Sequence, residues 1–420
     1  MNILILGSGG REHSLAWAVK QNPKCDRLIV APGNAGIARL AECADLDILD
    51  GAAVVGFAEE NAVDFVIVGP EAPLAAGVAD SLRAAGVPTF GPSAAAARLE
   101  ASKGFTKEIC DAAGAPTAGY ARFTDKDAAV AHVREKGAPI VIKADGLAAG
   151  KGVIVAMALP EALAALDDMF GGEFGDAGAE VVIEEFMEGE EASLFVLCDG
   201  RDVLEIGTAQ DHKRVGDGDT GPNTGGMGAY SPAPVLSPAV LEQAMEQIVR
   251  PTVAEMARRG TPFQGVLYAG LMIRDGQARL VEYNVRFGDP ECQVLMMRLG
   301  AQAFDLIQAC AEGRLGEMRV NWAADHALSV VMAANGYPGA YLKGSQIRGL
   351  EELPEDSRHM VFHAGTSERD GSIVASGGRV LNVTARGANL QEARDRAYGM
   401  VDAIDWPGGF CRRDIGWRAL

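Results

Sequence analysis

The stretch Pro139-Ile-Val-Ile-Lys-Ala-Asp-Gly-Leu-Ala-Ala-Gly-Lys-Gly-Val-Ile-Val-Ala156 decides how the middle of this chain folds. Two β-branched runs flank a loop with glycines at 146, 150 and 152, which predicts two antiparallel strands joined by that loop. Gly152 stands where a Walker phosphate loop needs Ser or Thr, and a strand follows where that loop needs a helix. We therefore expect a glycine lid whose backbone N–H groups close over phosphates.

Lys143 lies in the first of these strands, directly after the apolar run 140–142. Burying an unpaired ammonium group is costly, so a plain core position is unfavourable for this residue. The pattern predicts a fixed positive charge beside the lid. A lysine pointing outward from an edge strand is the alternative interpretation.

The pattern of elements changes twice along the chain. Residues 1–101 alternate short apolar strands with helices, which predicts a doubly wound, Rossmann-like parallel sheet with ligands at the carboxyl ends of its strands. Residues 102–322 predict α+β structure, with a small lobe at about 120–190, a larger lobe at about 191–322 and an irregular loop at 211–232. Residues 323–420 predict a small α/β domain. Single helices are expected at 74–85, 238–259 and 292–310.

Composition excludes several classes of protein. The 420 residues include 52 glycines, against about 29 at the usual usage of ~7%, and these follow no collagen-like period. The formal charge of −19 argues against a general nucleic-acid or anionic-membrane binder. Seven scattered cysteines without a CxxC pair suit a reducing, cytoplasmic setting, and no stretch approaches 18 uninterrupted apolar residues.

The first glycine cluster, Gly7-Ser-Gly-Gly-Arg-Glu12, departs from a dinucleotide-binding fingerprint. That fingerprint needs a sixth-position glycine for close packing of helix and strand, and Glu12 occupies this position. A nicotinamide site is therefore disfavoured. The helix N-terminus and Arg11 can still hold a phosphate, because unpaired N–H groups and a guanidinium both attract anions. A plain tight turn is the alternative.

Two further segments combine charge with glycine. Residues 183–191 form an acidic run bracketed by apolar strands, which suits a hinge whose carboxylates accept hydrogen bonds from a nucleobase and a ribose, or a solvated face. Residues 211–230 hold six glycines and both signs of charge. A structureless loop of this length inside a domain is usually functional or disordered. His212 alone does not indicate a general base.

Glu282, Asn284 and Arg286 lie two residues apart along a predicted strand and so share one face. A carboxylate and an amide oxygen are hard ligands suited to Mg²⁺, which keeps waters and binds substrate phosphates. The neighbouring guanidinium suits a developing phosphoryl or carboxylate charge. A solvated strand face is the alternative.

Together these motifs resemble the ATP-grasp superfamily and, within it, the glycinamide ribonucleotide synthetase family of purine biosynthesis. The resemblance runs nearly end to end, and the short patterns quoted for it lie in the first two predicted domains. They are Gly7-Ser-Gly-Gly-Arg-Glu-His13, Ala31-Pro-Gly-Asn-Ala-Gly36, Val68-Gly-Pro-Glu-Ala-Pro-Leu74, Ile142-Lys-Ala-Asp-Gly-Leu-Ala-Ala-Gly-Lys-Gly152, Gln210-Asp-His-Lys-Arg-Val-Gly216, Thr220-Gly-Pro-Asn-Thr-Gly-Gly-Met-Gly-Ala-Tyr-Ser-Pro232 and Arg286-Phe-Gly-Asp-Pro-Glu291. The last is the family's most specific short pattern.

The resemblance implies a pre-ATP-grasp N-terminal domain, a two-lobed ATP-grasp domain and a small C-terminal domain. It also implies ATP-dependent ligation of glycine to 5-phosphoribosylamine through a glycyl phosphate, with Mg²⁺ or Mn²⁺ as cofactor. ATP, glycine and 5-phosphoribosylamine are then the partners, together with transient contact with neighbouring purine-pathway enzymes; nucleic acid and membrane are not expected.

The resemblance further implies a role for each motif residue. Catalysis is expected from Arg286, Lys213 and Asp211, and metal binding from Glu282 and Asn284. ATP is expected to contact Lys103, Lys143, Gly146, Gly150, Lys151, Gly152, Glu184, Glu185, Phe186, Met187 and Glu191, with Glu184 on the adenine amine and Glu191 on the ribose. The other substrates are expected to contact Gly9, Gly10, Arg11, Glu12, Asn34, Glu71, Asn223, Gly226, Arg286 and Asp289. The preceding strand, 268–273, has no acidic residue where many ATP-grasp enzymes have a second metal ligand.

Three other functions are weighed against this one. A nicotinamide dehydrogenase needs the missing sixth glycine and a ribose-binding acid about twenty residues later. A non-catalytic phosphoribosyl-binding regulator does not need Glu282, Asn284 and Arg286 beside a lid. A sister ATP-grasp enzyme acting on another purine intermediate is opposed by the pattern at 286–291.

Overall fold

The computed structural model describes residues 1–146, 152–172 and 180–420. The N-terminal part has strands β1 (Asn2–Gly7), β2 (Arg27–Pro32), β3 (Glu42–Cys43), β4 (Phe65–Val68) and β5 (Thr89–Phe90) and helices α1 (Gly10–Lys20), α2 (Gly51–Glu60), α3 (Glu71–Ala75), α4 (Val78–Ala84) and α5 (Ala94–Ala101). The strands form a parallel sheet in the order β3-β2-β1-β4-β5. This confirms the predicted doubly wound sheet.

The central strand β1 shows why this sheet forms. Residues 3–6 have no exposed surface, so both faces of the strand are covered, as parallel sheets require. Strand β2 lies on one side of β1 and β4 on the other. The carboxyl ends of β1 and β4, at Gly7 and Gly69, therefore meet at the topological switch point, where α/β sheets bind ligands.

The small lobe follows α6 (Lys103–Ala113). It contains β6 (Tyr120–Phe123), α7 (Lys126–Lys136), β7 (Ile140–Ala144), β8 (Val153–Ala156), α8 (Leu159–Phe170) and β9 (Val181–Glu185), and its sheet has the order β6-β9-β7-β8. Strands β7 and β8 pair antiparallel, which confirms the predicted strand, loop and strand. Ile140, Ile142 and Ala144 share a core cluster with α7 and α8, so the alternating Lys143 faces away from these helices. Gly150 and Lys151 lie outside the described residues.

The remaining elements build a large sheet. Its strands and neighbours are β10 (Glu190–Asp199), β11 (Val203–Asp211), β12 (Arg214–Gly216), β13 (Thr220–Asn223), β14 (Gly228–Ser231), α9 (Pro238–Ala244), α10 (Arg250–Arg258), β15 (Gln264–Arg274), β16 (Gln277–Asn284), α11 (Glu291–Leu299), α12 (Gln302–Ala311), β17 (His326–Ala334), β18 (His359–His363), β19 (Thr366–Arg369), β20 (Ser372–Ala375), β21 (Arg379–Gly387), α13 (Leu390–Ala403) and β22 (Gly409–Phe410). The large sheet has the order β16-β15-β10-β11-β14-β17-β21-β18, with β22 beside β17, whereas β12–β13 and β19–β20 form separate two-stranded sheets. Because β14 pairs with β17, one sheet continues from the larger lobe into the C-terminal part.

The expectation of an irregular loop over 211–232 was wrong. Strands β12 and β13 form a hairpin within it, and β14 joins the large sheet. At the hairpin turn Gly218 and Asp219 both have positive φ angles, +66° and +57°. Glycine and aspartate tolerate that conformation, so glycine-rich sequence here makes a defined turn.

Two of the three expected long helices are divided in the structure, whereas the third, expected at 238–259, is continuously helical over 238–258 with a π-helical turn inside it. Gly77, with a φ of +82°, separates α3 from α4, and Gly300, with a φ of +59°, separates α11 from α12. A π-helical turn, Met245–Val249, lies between α9 and α10 just before Pro251, which has no N–H to donate. No helix among the described residues is long and apolar enough to cross a membrane.

Candidate active site

A cavity of about 390 Å³ lies where the N-terminal sheet, the small lobe and the large sheet meet. The predicted site residues that line it are Arg11, Glu71, Lys103, Lys143, Gly152, Glu184, Asp211, Lys213, Glu282, Asn284, Arg286 and Asp289. Motifs from the N-terminal part, the small lobe and the large sheet therefore converge on one space.

Glu282 is surrounded by cations at the centre of this cavity. Burial alone would raise the pKa of its carboxyl group, but Lys213, Lys143, Lys103 and Arg286 together hold that pKa below the ordinary value. The carboxylate is therefore ionised at neutral pH, and the cations around it can receive phosphate oxygens.

Asn284 lies beside Glu282 on β16, and both line the cavity. In the register with β15, Glu282 faces Gly270 and Asn284 faces Tyr268, so the neighbouring strand adds no acidic group. Within the described residues neither side chain makes a hydrogen bond or ion pair, and no group of three or more His, Cys, Asp or Glu has metal-binding geometry. Two hard oxygen donors suit Mg²⁺, which takes its remaining ligands from water and substrate phosphates.

Glu184 lies between two lysines at the small-lobe side of the cavity. Its Oε2 is 3.0 Å from Lys143 Nζ, and its Oε1 is 3.1 Å from Lys107 Nζ. All three side chains are almost fully buried. Lys107 also donates to Thr117 Oγ1 at 2.8 Å, and Lys143 donates to the carbonyl of Val281 at 3.3 Å. The fixed charge predicted for Lys143 is therefore held by protein contacts on the cavity wall.

The described part of the lid is tied to the start of α6. Ser102 Oγ donates to Asp145 Oδ2 at 3.0 Å, and Gly104 N–H donates to Asp145 Oδ1 at 3.2 Å. Lys103 Nζ donates to the carbonyl of Gly146 at 2.7 Å. Burial lowers the pKa of Lys103, and Lys143 lowers it further. An anion in the cavity would raise this pKa again, because it favours the charged form of the lysine.

Arg286 connects β16 to the N-terminal part. Its Nε lies 3.3 Å from Glu71 Oε2, and its Nη2 lies 3.2 Å from Glu100 Oε1. Arg11 is close by and donates to the carbonyl of Phe287 at 3.2 Å. Two guanidinium groups thus face the N-terminal half of the cavity, at the carboxyl ends of β1 and β4.

Asp211 and Glu291 form an acidic pair on the opposite side. Burial, together with the nearby carboxylates Glu291 and Glu191, raises the pKa of Asp211 to about 7 even though Lys213 lowers it. Burial also raises the pKa of Glu291, whose Oε1 accepts from the Tyr268 hydroxyl at 3.2 Å. Lys213 stays charged because Glu191, Asp211, Tyr268 and Glu282 outweigh its burial and raise its pKa. An acid with a pKa near 7 can exchange a proton at neutral pH.

Several predicted substrate contacts lie outside the cavity lining because they hold the N-terminal part together. The Glu12 carboxylate accepts from the N–H of Gly9 at 2.7 Å and from Arg11 Nε at 2.6 Å, so it caps its own helix. A Cβ at Gly7 would lie 2.5 Å from Glu12 Cδ, and one at Gly69 would also meet this carboxyl group. The side chain therefore fills the switch point between β1 and β4.

Gly10 and Asn34 contact the C-terminal part. A Cβ at Gly10 would collide with Asn382 and Gln293. Asn34 Nδ2 donates to the carbonyls of Ser8 and His363, both at 2.8 Å, and its Oδ1 accepts from the N–H groups of Gly36 and Ile37. The amide hydrogen-bonding capacity of Asn34 is thus used in joining two loops and β18.

The predicted hinge residues follow β9. Glu185 accepts from the N–H of Gly119 at 3.0 Å and forms an ion pair with Arg279, while Glu191 pairs with Lys213. Met187 is buried and Phe186 is half-buried. These residues connect the two lobes but do not line the cavity.

The glycine segment after β13 is held by Arg379, which sequence reasoning missed. Its Nη1 donates to the carbonyl of Gly225 at 2.6 Å and to that of Asp289 at 2.5 Å. Gly226 has a φ of +111°, and a Cβ there would lie 2.5 Å from Pro290 Cδ. Asn223 is exposed at the end of β13, whereas Thr224 and Gly225 line the cavity. A residue of the C-terminal part thus shapes this wall.

Other cavity residues that sequence reasoning missed are Glu100, Lys107, Tyr268 and Glu291. Lys107 follows Lys103 by four positions on α6, and residues at that spacing share a helix face. Glu291 ends the quoted motif that begins at Arg286. Lys107 and Glu291 could therefore have been predicted from the sequence. Glu100 and Tyr268 reach the cavity only through the packing of the folded chain.

Comparisons with known proteins agree across the whole chain. Family models for phosphoribosylglycinamide synthetase match residues 1–100 (N domain), 101–292 (ATP-grasp domain) and 327–418 (C domain). The phosphoribosylamine–glycine ligase of Agrobacterium fabrum is 60% identical over 420 residues, which cover 100% of this chain and 99% of that protein.

Solved structures give the same result. The phosphoribosylamine–glycine ligase of Thermotoga maritima superposes with a TM-score of 0.87 at 32% identity, covering 99% of this chain and 100% of that one. A biotin carboxylase of Campylobacter jejuni, at 15% identity and a TM-score of 0.74, covers 97% of this chain and 92% of its own and shares the fold alone.

Proposed function

The chain belongs to the phosphoribosylglycinamide synthetase family of ATP-grasp enzymes, and we propose that the cavity described above performs this family's ligation in the way set out below. The reaction joins glycine to 5-phosphoribosylamine with ATP and yields glycinamide ribonucleotide, ADP and phosphate, a step of purine biosynthesis.

The chemistry has two steps. A carboxylate oxygen of glycine attacks the γ-phosphorus of ATP, the bond to the β-phosphate oxygen breaks, and ADP leaves. The amine of phosphoribosylamine then attacks the carbonyl carbon of glycyl phosphate, phosphate leaves, and the amine loses a proton. Neither step needs a protein nucleophile, so this chain contributes positioning and charge neutralisation.

ATP phosphates lie, in this proposal, against Lys103 and Lys143, with Gly146 and Gly152 at the two ends of the lid; Gly150 and Lys151 remain predictions. The support is the cluster of cations around Glu282 and the ion pair that holds Lys143 in place. The Glu184 carboxylate has about four lone-pair positions, so it can also accept from the adenine amine. The backbone of Glu185 and Met187 meets the ring edge, with Phe186 between them, and Glu191 meets the ribose.

ATP-grasp enzymes use ATP with Mg²⁺, and Glu282 and Asn284 are the residues that would hold the ion here. When bound, Mg²⁺ neutralises phosphate charge and aligns the γ-phosphate for transfer. The two side chains suit this because both are oxygen donors on one strand face, Glu282 is ionised, and neither is hydrogen-bonded within the described residues.

The acceptor half of the site comprises two groups of residues. Arg286 stabilises the acyl phosphate, and Arg11 and Glu71 hold phosphoribosylamine at the ends of β1 and β4. Asp211 accepts the proton that the amine loses, a role supported by its pKa of about 7, and the charged Lys213 holds the substrates beside it. Asp289 and Gly226 shape the wall, and Glu12, Asn34, Gly9 and Gly10 support it from behind.

The observation that carries this proposal is the convergence of Lys103, Lys143, Glu282 and Arg286 on one cavity with Arg11 and Asp211. The domain boundaries at about 101 and 322, a cytoplasmic location and transient contact with other purine-pathway enzymes remain predictions.

The test is incubation with ATP, Mg²⁺, glycine and freshly generated phosphoribosylamine, with phosphate release as the readout. We expect release that requires both glycine and phosphoribosylamine, together with formation of glycinamide ribonucleotide. Phosphate release that continues at the same rate without glycine would refute the assigned substrate.

A further inference from the structure

The segment 412–418, which we call the clasp segment, lies against the β12–β13 hairpin. The N–H of Gly218 donates to Asp414 Oδ2 at 2.8 Å, and the N–H of Arg413 donates to Asp217 Oδ1 at 2.8 Å. Each segment therefore donates a backbone N–H to an aspartate carboxylate of the other segment. The hairpin turn is held by a part of the chain almost two hundred residues away.

Arg412 is the centre of the contact, and its side chain is only 1% exposed. It lies 2.9 Å from Asp219 Oδ1 and 2.7 Å from Asp414 Oδ2, and it donates to the carbonyl of Arg214 at 3.0 Å. A guanidinium can be buried only when its charge and its donors are matched. Arg412 therefore fixes the turn, through Asp219, and the first hairpin strand, through Arg214.

His212 connects the same contact to the cavity. Along this extended segment Asp211 and Lys213 line the cavity, while the intervening His212 points to the other side. The His212 ring has no exposed surface, and its Nε2 accepts from the N–H of Gly416 at 3.0 Å. Arg418 adds an ion pair with Asp219. The residue between two cavity residues is thus bound by the clasp segment.

Hydrogen bonds at the base of the hairpin connect its contact with the clasp segment to the cavity wall. Thr224 donates to the carbonyl of Lys213 through its N–H at 2.7 Å and through its hydroxyl at 2.8 Å. The N–H of Met227 donates to the carbonyl of His212 at 2.8 Å. The chain that leaves the hairpin, at Thr224 and Met227, is therefore hydrogen-bonded to the chain that enters it, at His212 and Lys213.

We propose that the clasp segment is a positioning element for the acceptor half of the active site, with Arg412 and His212 as positioning residues. They fix the backbone from which Asp211 and Lys213 reach the substrates. Lys103 and Lys143 stand on α6 and β7, away from this contact. The inference rests on the proposed function, because the acceptor half is defined by glycine and phosphoribosylamine.

The test compares Arg412→Gln, Arg412→Lys and Arg418→Gln with the matched control Arg413→Gln. The Arg413 side chain is 56% exposed and pairs only with Asp402 among its carboxylate neighbours in the described residues. We expect kcat/KM for glycine and phosphoribosylamine to fall roughly 10- to 100-fold in Arg412→Gln, since a misplacement of about 1 Å can cost about 10²-fold. Arg412→Lys should recover part of the loss, and the KM for ATP should change by less than about threefold.

A second readout is amide hydrogen exchange of full-length protein. Local loosening should raise exchange in residues 211–216 and 220–228 of Arg418→Gln, with the N-terminal sheet unchanged. Arg418→Gln also keeps the test decisive if Arg412→Gln fails to fold. The proposal would be overturned by wild-type constants for glycine and phosphoribosylamine in folded Arg412→Gln or, if that variant does not fold, in folded Arg418→Gln. It would also be overturned if kcat/KM for ATP fell as much as kcat/KM for the other two substrates. Failure of the proposed function would appear separately, as absence of glycine-dependent ligation in the wild-type protein.

Discussion

The Lys143 ammonium lies 3.0 Å from the Glu184 carboxylate, and Lys107 lies 3.1 Å from the other oxygen of that carboxylate. One buried acid thus neutralises two buried lysines on the small-lobe wall. Lys143 can face phosphates from a defined position because Glu184 balances part of its charge before any nucleotide binds.

Replacing Glu184 with Gln should remove the carboxylate with which both lysines form ion pairs. Breaking a buried pair typically costs about 3 kcal/mol or more, so we expect a loss of that size in the free energy of unfolding. A bound ATP analogue should reduce this loss, because its phosphates supply negative charge. Urea unfolding with and without the analogue measures both effects.

Glu185→Gln is the matched control, because Glu185 is the next residue and is about half exposed. Its substitution should change the free energy of unfolding by at most ~1 kcal/mol. Equal losses in the two variants would show that Glu184 does not balance the lysines.

Glu282→Gln should raise the Mg²⁺ concentration that gives half-maximal activity. A charge-assisted contact contributes about 1.5–3 kcal/mol, which corresponds to roughly a 10- to 100-fold rise. The fold should be retained, since the replaced carboxylate makes no ion pair among the described residues. Mg²⁺ titration of ligation provides the measurement, with the surface variant Glu246→Gln as control; an unchanged Mg²⁺ requirement would remove Glu282 from the metal site.

Asp211 makes stability depend on pH in a defined direction. Its pKa of about 7 in the folded protein exceeds the ordinary 3.8, so between these pH values the folded protein binds more protons than the unfolded chain. Stability is therefore lost as pH rises through this window, by up to about 1.4 kcal/mol per pH unit. In denaturant titrations Asp211→Asn should gain stability relative to wild type as pH rises from about 4 to about 7, and this gain should then level off.

The exposed turn variant Asp275→Asn should show no such relative gain. Parallel pH curves for wild type and Asp211→Asn would contradict the raised pKa. Ligation by the wild type should also slow below pH 7, where Asp211 is protonated and can no longer accept a proton from the amine.

Gly226→Ala should disturb the cavity wall more than an ordinary glycine substitution. A Cβ at this position meets Pro290 Cδ at 2.5 Å, in addition to the strain of a φ of +111°. Gly260 has a φ of +77° and open space around it, so Gly260→Ala isolates backbone strain of about 1–2 kcal/mol. We expect a larger loss of stability and a lower kcat/KM for glycine in Gly226→Ala only. Matching kinetics in the two variants would rule out a shaping role for Gly226.

Much of the fold and part of the site follow from local sequence. The β-branched runs around the lid predict β7 and β8, and the period of two predicts that Glu282 and Asn284 share a face of β16. Lys107 follows Lys103 by one helical turn and could have been found in the same way. These features depend on neighbours in the chain, so spacing and residue type suffice.

Tertiary structure alone decided how the remaining residues are used. Glu12, read as a substrate contact, caps its own helix because the ends of β1 and β4 leave room for its carboxylate. Arg379 reaches the cavity wall, and the clasp segment reaches the hairpin behind that wall, only because one sheet continues into the C-terminal part. The sequence determines which groups can carry charge or donate hydrogen bonds. Their partners depend on distances between residues far apart in the chain, and packing alone sets those distances.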